Sequence, residues 1–307
     1  MRNAALDEIA NLVAENQSIV FVGSDLGAGT LNAARQLNPA RILIEGIAEQ
    51  HIVGFAAGLA LEKLIPYVHT ISTFLTRRAL EQIIVDVALH ELPVRLLGAG
   101  GGMVYAPLGP THQSIDDFAL MSAIHSMMIC APADPSEMRS IIRALSTHPG
   151  PAYIRVGKGG EPDVTSRLKP MDLFEWRLVN EGAKVALITT GTMLHACIEA
   201  VELSRKHGLN PALLHVPIIR PIPEEFVKKL SETYSMFIVV EEHQPFGGLA
   251  TAIAGVLMSQ LQGARIIHIA LPGRYSHSYG NQQNHLDDAG LNASSISKQI
   301  VNAYETI

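Results

Sequence analysis

Ile65-Pro66-Tyr67-Val68-His69 is a short, β-rich apolar run, and what flanks it decides the fold. Ahead of it a segment opens at Gly46-Ile47-Ala48-Glu49-Gln50-His51 and continues with Ile52, Val53, Phe55, Ala56, Ala57, Leu59, Ala60 and Leu61. A helix that is apolar nearly all round is expected to be buried. Behind it stand Ser72-Thr73-Phe74-Leu75 and a second helical stretch carrying Arg77, Arg78, Glu81, Gln82 and Asp86. A short strand set between helices is the unit of an α/β fold with a mainly parallel sheet.

The same alternation extends in both directions. Strands are expected near 19–22, 65–69, 94–98, 127–130 and 152–156, with helices between most of them. Asp134-Pro135-Ser136-Glu137 supplies an N-cap, an N1 proline and an N3 glutamate in order, so a helix starts there. From Gly157 to about Asn180 the pattern lapses into Gly, Pro and charged residues around the only tryptophan, Trp176, which reads as a linker. A second series follows, with strands near 185–190, 212–216, 237–241 and 266–270 and helices near 193–206, 224–234, 248–261 and 294–304. The expected organisation is two α/β domains, 1–160 and 181–307, joined by a linker over 161–180.

Composition narrows the function. With 307 residues, 48% of them hydrophobic, the chain can bury a large core. A formal charge of −6 and no basic cluster interleaved with aromatics argue against a nucleic-acid partner. Cys130 and Cys197 both lie in apolar segments, which points to reduced core thiols rather than a disulfide or zinc site. The acidic start and the lack of a long apolar run lead us to expect a cytoplasmic protein with no membrane span.

Chemistry-bearing residues cluster where strands end. Glu49 falls in the first turn of an apolar helix. Burial there raises a carboxyl pKa while the helix dipole opposes the rise, so capping and catalysis both explain it. Phe74 follows a strand, at the kind of loop where ligands bind in α/β sheets, and either stacks on a flat ring or joins the core. Gly98-Ala99-Gly100-Gly101-Gly102 superficially suggests a nicotinamide loop, but Met103-Val104-Tyr105-Ala106-Pro107 reads as more loop where a helix is required. A tight turn or a close backbone approach is the better reading. Gly109-Pro110-Thr111-His112-Gln113 delivers His112, an orienting or acid/base candidate, to one turn.

Taken together, Gly46 to His51, Ser72 to Leu75 with Gln82 beyond, Gly109 to Gln113 and Pro132-Ala133-Asp134 resemble the pyrimidine-binding domain of transketolases and deoxyxylulose-phosphate synthases. Thr190-Gly191-Thr192-Met193, Arg220-Pro221-Ile222, Glu241-Glu242-His243 and Gly247-Gly248 resemble the C-terminal domain of the same enzymes. The resemblance implies dependence on thiamine diphosphate, and it assigns each residue a role. Glu49 hydrogen-bonds the aminopyrimidine and favours the tautomer that takes a proton from the thiazolium. Phe74 packs on that ring, Asp25 and Leu26 border the cofactor, and His112 faces the reacting carbons. Arg155, and Arg2 with it, bind the phosphate of a sugar phosphate, for which a guanidinium fork is suited.

The family's diphosphate-binding domain, with its Gly-Asp-Gly…Asn motif for Mg²⁺, has no counterpart in the sequence. The resemblance therefore implies one subunit of a split transketolase, whose partner of roughly 250 to 300 residues supplies the metal ligands in an α2β2 assembly. No metal ligands are expected on this chain. Leu108 stands where the family places an aspartate for donor hydroxyls, and Gly100 and Gly101 where it places a histidine or arginine. Each unmatched polar contact is expected to relax donor discrimination by about 10²-fold. Two rivals remain on the same scaffold: the β subunit of a 2-oxoacid dehydrogenase, and a non-catalytic regulatory subunit.

Overall fold

The computed structural model describes residues 1–166, 168, 175–258 and 263–307. The chain separates into two compact units, one built from 1–101 and 120–166, the other from 102–119 and 167–307. This partition differs from the sequence-based one at the excursion 102–119, the stretch that carries His112.

In the first unit, strands β1 (Ile19–Gly23), β2 (Ile42–Ile44), β3 (Ile65–Ile71), β4 (Arg95–Ala99), β5 (Met128–Cys130) and β6 (Ala152–Val156) pair in parallel, in the order β5-β6-β4-β3-β1-β2. Every residue of β1, β4 and β5 is buried, as expected of strands covered on both faces. The chain leaves β1 toward β2 on one side, then crosses to β3 on the other. That reversal opens a crevice beyond the carboxyl ends of β1 and β3, where open α/β sheets bind ligands.

The helix Glu49–Leu61 packs on β3. It buries Ile52, Val53, Ala56, Ala57 and Ala60, but contrary to expectation it is not buried all round. Leu61 is 63% exposed, and Ile47 just ahead of the helix is 74% exposed. The chain covers one face of this apolar helix and leaves Leu61 in solvent. Asp134 caps the helix Pro135–Leu145 as expected, accepting from the Glu137 amide at 2.9 Å, while the Glu137 carboxylate accepts from Ala133 N at 2.8 Å.

The second unit contains β7 (Arg177–Asn180), β8 (Val185–Thr189), β9 (Ala212–His215), β10 (Ile218–Arg220), β11 (Met236–Glu241) and β12 (Arg265–Ala270). Its five-stranded sheet runs β12-β11-β8-β9-β7, parallel except for β7, which pairs antiparallel with β9. The expected linker thus ends in an edge strand. Trp176 beside that strand is buried edge-on against Phe226, with centroids 5.7 Å apart. The rest of the linker over 167 and 169–174 lies outside the described residues, as does the end of the helix expected to reach 261; its described part is Leu249–Leu257.

Cys130 and Cys197 are free and buried, and burial pushes the Cys197 thiol up to about 12. No described helix is long and apolar enough to cross a membrane.

Candidate active site

The crevice at the ends of β1 and β3 gathers most of the expected residues of the first unit. Beyond β1, Ser24 is buried and its hydroxyl accepts from the Leu26 amide at 3.3 Å, which shapes the loop and leaves Asp25 exposed and Leu26 half-buried. Arg2, the first residue of the helix Arg2–Glu15, lies against this loop: a Cβ built on Gly27 would stand 3.5 Å from Arg2 Nε. That Nε is buried and donates to no protein atom. His69 within β3 is also buried, with no hydrogen-bond partner for its ring nitrogens. Burial, with the nearby Arg2 charge, lowers its pKa to about 4, so it is a neutral core residue.

Glu49 is the first residue of its helix, with only 1% of its surface exposed. It makes no capping bond; its carboxylate points instead toward β3 and the segment beyond. Thr70 Oγ1 donates to Oε1 at 3.2 Å, and Arg78 Nη1 donates to Oε2 at 2.5 Å. The same Arg78 guanidinium lies over the Phe74 ring, 4.6 Å from its centroid. One flat, cationic, hydrogen-bonding group therefore touches both residues expected to hold a heterocycle.

The segment that presents Phe74 and Arg78 is not an ordinary α-helix. Phe74–Arg78 and Ile83–Ala88 are π-helical turns around a short α-helical piece, Leu80–Gln82. Such turns are rare and concentrate at functional sites. The spacing of four puts Phe74 and Arg78 on one face, so the ring and the guanidinium meet. In the sequence Arg78 stands out only as a charge on the following helix; the four-residue spacing from Phe74 was the available signal.

Arg155 on β6 reaches the glycine loop after β4. A Cβ on Gly101 would collide with Arg155 Cγ, so Gly101 has no side chain because the stem of Arg155 lies there. Gly100 takes a φ of 78° and Gly102 one of 66°, and no helix opens, in keeping with a tight turn and not a nicotinamide loop. Gly101 is thus a packing requirement for an expected phosphate ligand, a reason invisible in the sequence.

In the second unit, His112 ends the 3₁₀ turn Pro110–His112, with Nδ1 2.9 Å from Thr111 Oγ1, and its partial burial lowers its pKa from 6.5. The turn is anchored by Gln113, which is buried and exchanges two 2.8 Å bonds with the backbone of Ser276. Leu108 is 59% exposed before Gly109, whose φ is 87°. A cavity of about 370 Å³ in this unit, bordered by Met103, Tyr275, His277 and His285, includes none of the expected site residues. Among the described residues, no group of three or more His, Cys, Asp or Glu is placed to hold a metal ion.

Comparison with known proteins agrees with this layout. Residues 1–161 match the transketolase pyrimidine-binding domain, and residues 175–296 match the transketolase C-terminal domain. The chain is 34% identical over 306 residues to 1-deoxy-D-xylulose-5-phosphate synthase of Dictyoglomus turgidum, covering 99% of this chain but 48% of that enzyme. It therefore spans about half the length of that relative. It is 33% identical over 274 residues to one subunit of the apulose-4-phosphate transketolase of Phocaeicola vulgatus, covering 87% of this chain and 86% of that subunit. A solved split-gene transketolase, described as an inactive β4 tetramer, superposes with a TM-score of 0.89 at 28% identity over 98% of this chain and 97% of that one.

Proposed function

Since the chain belongs to the transketolase family, we propose that it is the pyrimidine-binding subunit of a two-component, thiamine-diphosphate-dependent transketolase. The reaction is transfer of a two-carbon ketol unit from a ketose, as its phosphate, to an aldose acceptor. The observation that carries this reading is the double contact of Arg78. A corner formed by Glu49 and Phe74 holds a flat group with N–H donors at its edge, and an aminopyrimidine is likewise flat and in its imino tautomer presents a ring N–H to the carboxylate.

Within that reading each residue has a physical task. Glu49, walled from water and steadied by Thr70 on one oxygen, accepts from the ring through the other and sets its tautomer. Phe74 fixes the plane of the ring. Asp25 and Leu26 border the cofactor at the mouth of the crevice. When bound, thiamine diphosphate supplies the electron sink for breaking the carbon–carbon bond. Arg155 and Arg2 hold the substrate phosphate through their guanidinium groups. His112, neutral at pH 7 because burial lowers its pKa, orients the donor or moves a proton at the reacting carbons.

Mg²⁺ and the diphosphate belong to the partner subunit. The exposed Ile47 and Leu61, with Leu89 at 73% exposure, offer that partner apolar side chains on the same unit as Glu49. The split-gene neighbour is described as inactive as a β4 tetramer, which supports a requirement for a second kind of chain. The proposed working form is an α2β2 enzyme in the cytoplasm. From the apulose-4-phosphate transketolase relative we extend only the substrate class, a phosphorylated ketose.

Co-expressing the two subunits and screening ketose phosphates against aldose acceptors by mass spectrometry tests the proposal. A product two carbons longer than the acceptor is expected. Release of CO₂ from a 2-oxoacid without ketol transfer would replace it with the dehydrogenase reading, and no turnover with any donor would favour a regulatory subunit.

A further inference from the structure

In the structure the aminopyrimidine corner is already filled by the chain itself. Arg78 reaches Glu49 Oε2 at 2.5 Å and covers Phe74 at 4.6 Å, so its guanidinium satisfies at once the hydrogen bond and the stacking contact assigned to the ring. A second flat group on the same face of Phe74 would have to take the place of the guanidinium. We propose that Arg78 is a built-in substitute for the aminopyrimidine, which keeps the corner closed in the cofactor-free chain and swings out when thiamine diphosphate binds.

Three features suit Arg78 to leaving. Its side chain is 44% exposed while the carboxylate it holds is 1% exposed, so the guanidinium has water to move into and Glu49 does not. It ends a π-helical turn, and the next residue, Ala79, breaks the helical path at φ −102° and ψ 17°. Thr70 stays on the other oxygen of Glu49, so the carboxylate keeps its orientation during the exchange. The chemistry also explains why an arginine is needed. Losing any partner would strand a buried charge, and only a planar, delocalised cation both pairs with a carboxylate and lies flat on a phenyl ring.

The inference rests on the cofactor reading above and makes a distinct demand: removing the substitute should help the cofactor. In the reconstituted two-subunit enzyme, Arg78→Met is expected to tighten thiamine diphosphate binding about tenfold, read by titration calorimetry with Mg²⁺ present. Arg78→Lys, which can reach Glu49 but cannot stack flat, is expected to fall between Met and wild type. The cofactor-free Arg78→Met chain is expected to melt below wild type, and saturation of the complex should close that gap. Unchanged or weaker binding in Arg78→Met, with wild type binding normally, overturns the inference and leaves the functional reading standing. A wild-type complex that binds no thiamine diphosphate overturns both.

Discussion

Glu49 and Glu241 are the same residue in nearly the same setting, yet they are held differently. Each lies near the start of a helix, at 1% and 0% exposure respectively. Glu241, at the end of β11, accepts from the amides of Leu249 and Ala250 at 2.8 and 3.0 Å and from His268 Nε2 at 2.9 Å. Two of those donors are backbone at the start of Leu249–Leu257, so the carboxylate is a fixed cap on the positive end of a helix. Glu49 takes no backbone bond from its helix and is held by Thr70 and a half-exposed arginine. Backbone donors make Glu241 a structural acid, whereas the proposed function makes Glu49, held by a half-exposed arginine, a site.

Neutralising each acid in turn tests this contrast hardest. Glu49→Gln in the two-subunit enzyme should lower kcat by about 10²- to 10⁴-fold, the range of a lost acid–base group, with assembly and melting temperature little changed. A variant that turns over normally would make Glu49 another cap. Glu241→Ala should do the reverse, costing about 3 kcal/mol in denaturant unfolding of the isolated chain while folded enzyme keeps its kcat.

Acid separates the two carboxylates further. Burial pushes the Glu241 pKa up, but the His268 hydrogen bond, the His243 and His268 charges and the Ala250 amide outweigh it and hold the pKa below 4.5. A depressed carboxyl contributes stability that is present above its unfolded value and lost as pH falls through the folded one. Below pH 4.5, wild type should therefore lose stability with acid more steeply than Glu241→Ala. Parallel curves would remove Glu241 as an ionised cap.

A smaller effect probes the phosphate end of the first unit. Gly101→Ala places a methyl group on the Arg155 stem. It should raise KM for a phosphorylated donor about tenfold with kcat unchanged, the signature of lost uniform binding. Equal kinetics would detach Arg155 from the substrate.

Much of this was legible from residue order. The alternation of β-rich runs with helical stretches identified both α/β units, because strands covered on both faces are continuous apolar runs such as Ile19–Gly23. β2 and β10, at three residues each, are too short to leave a period, and β7 hid at the end of a linker-like stretch. Glu49 and Phe74 stood out by their neighbours. Arg78 did not, because its meaning depends on a π-helical turn that brings its head to a carboxylate 29 residues earlier in the chain. The exposed face of Glu49–Leu61 was illegible for a different reason: an apolar residue covered by its own chain and one left in solvent read alike.

The decisive experiment titrates thiamine diphosphate with Mg²⁺ into this chain alone, and then into the chain paired with the proposed diphosphate-binding partner. Weak or no binding to the isolated chain and saturable binding to the pair are expected if the cofactor is shared between two chains. Tight binding and turnover by this chain alone would contradict that division.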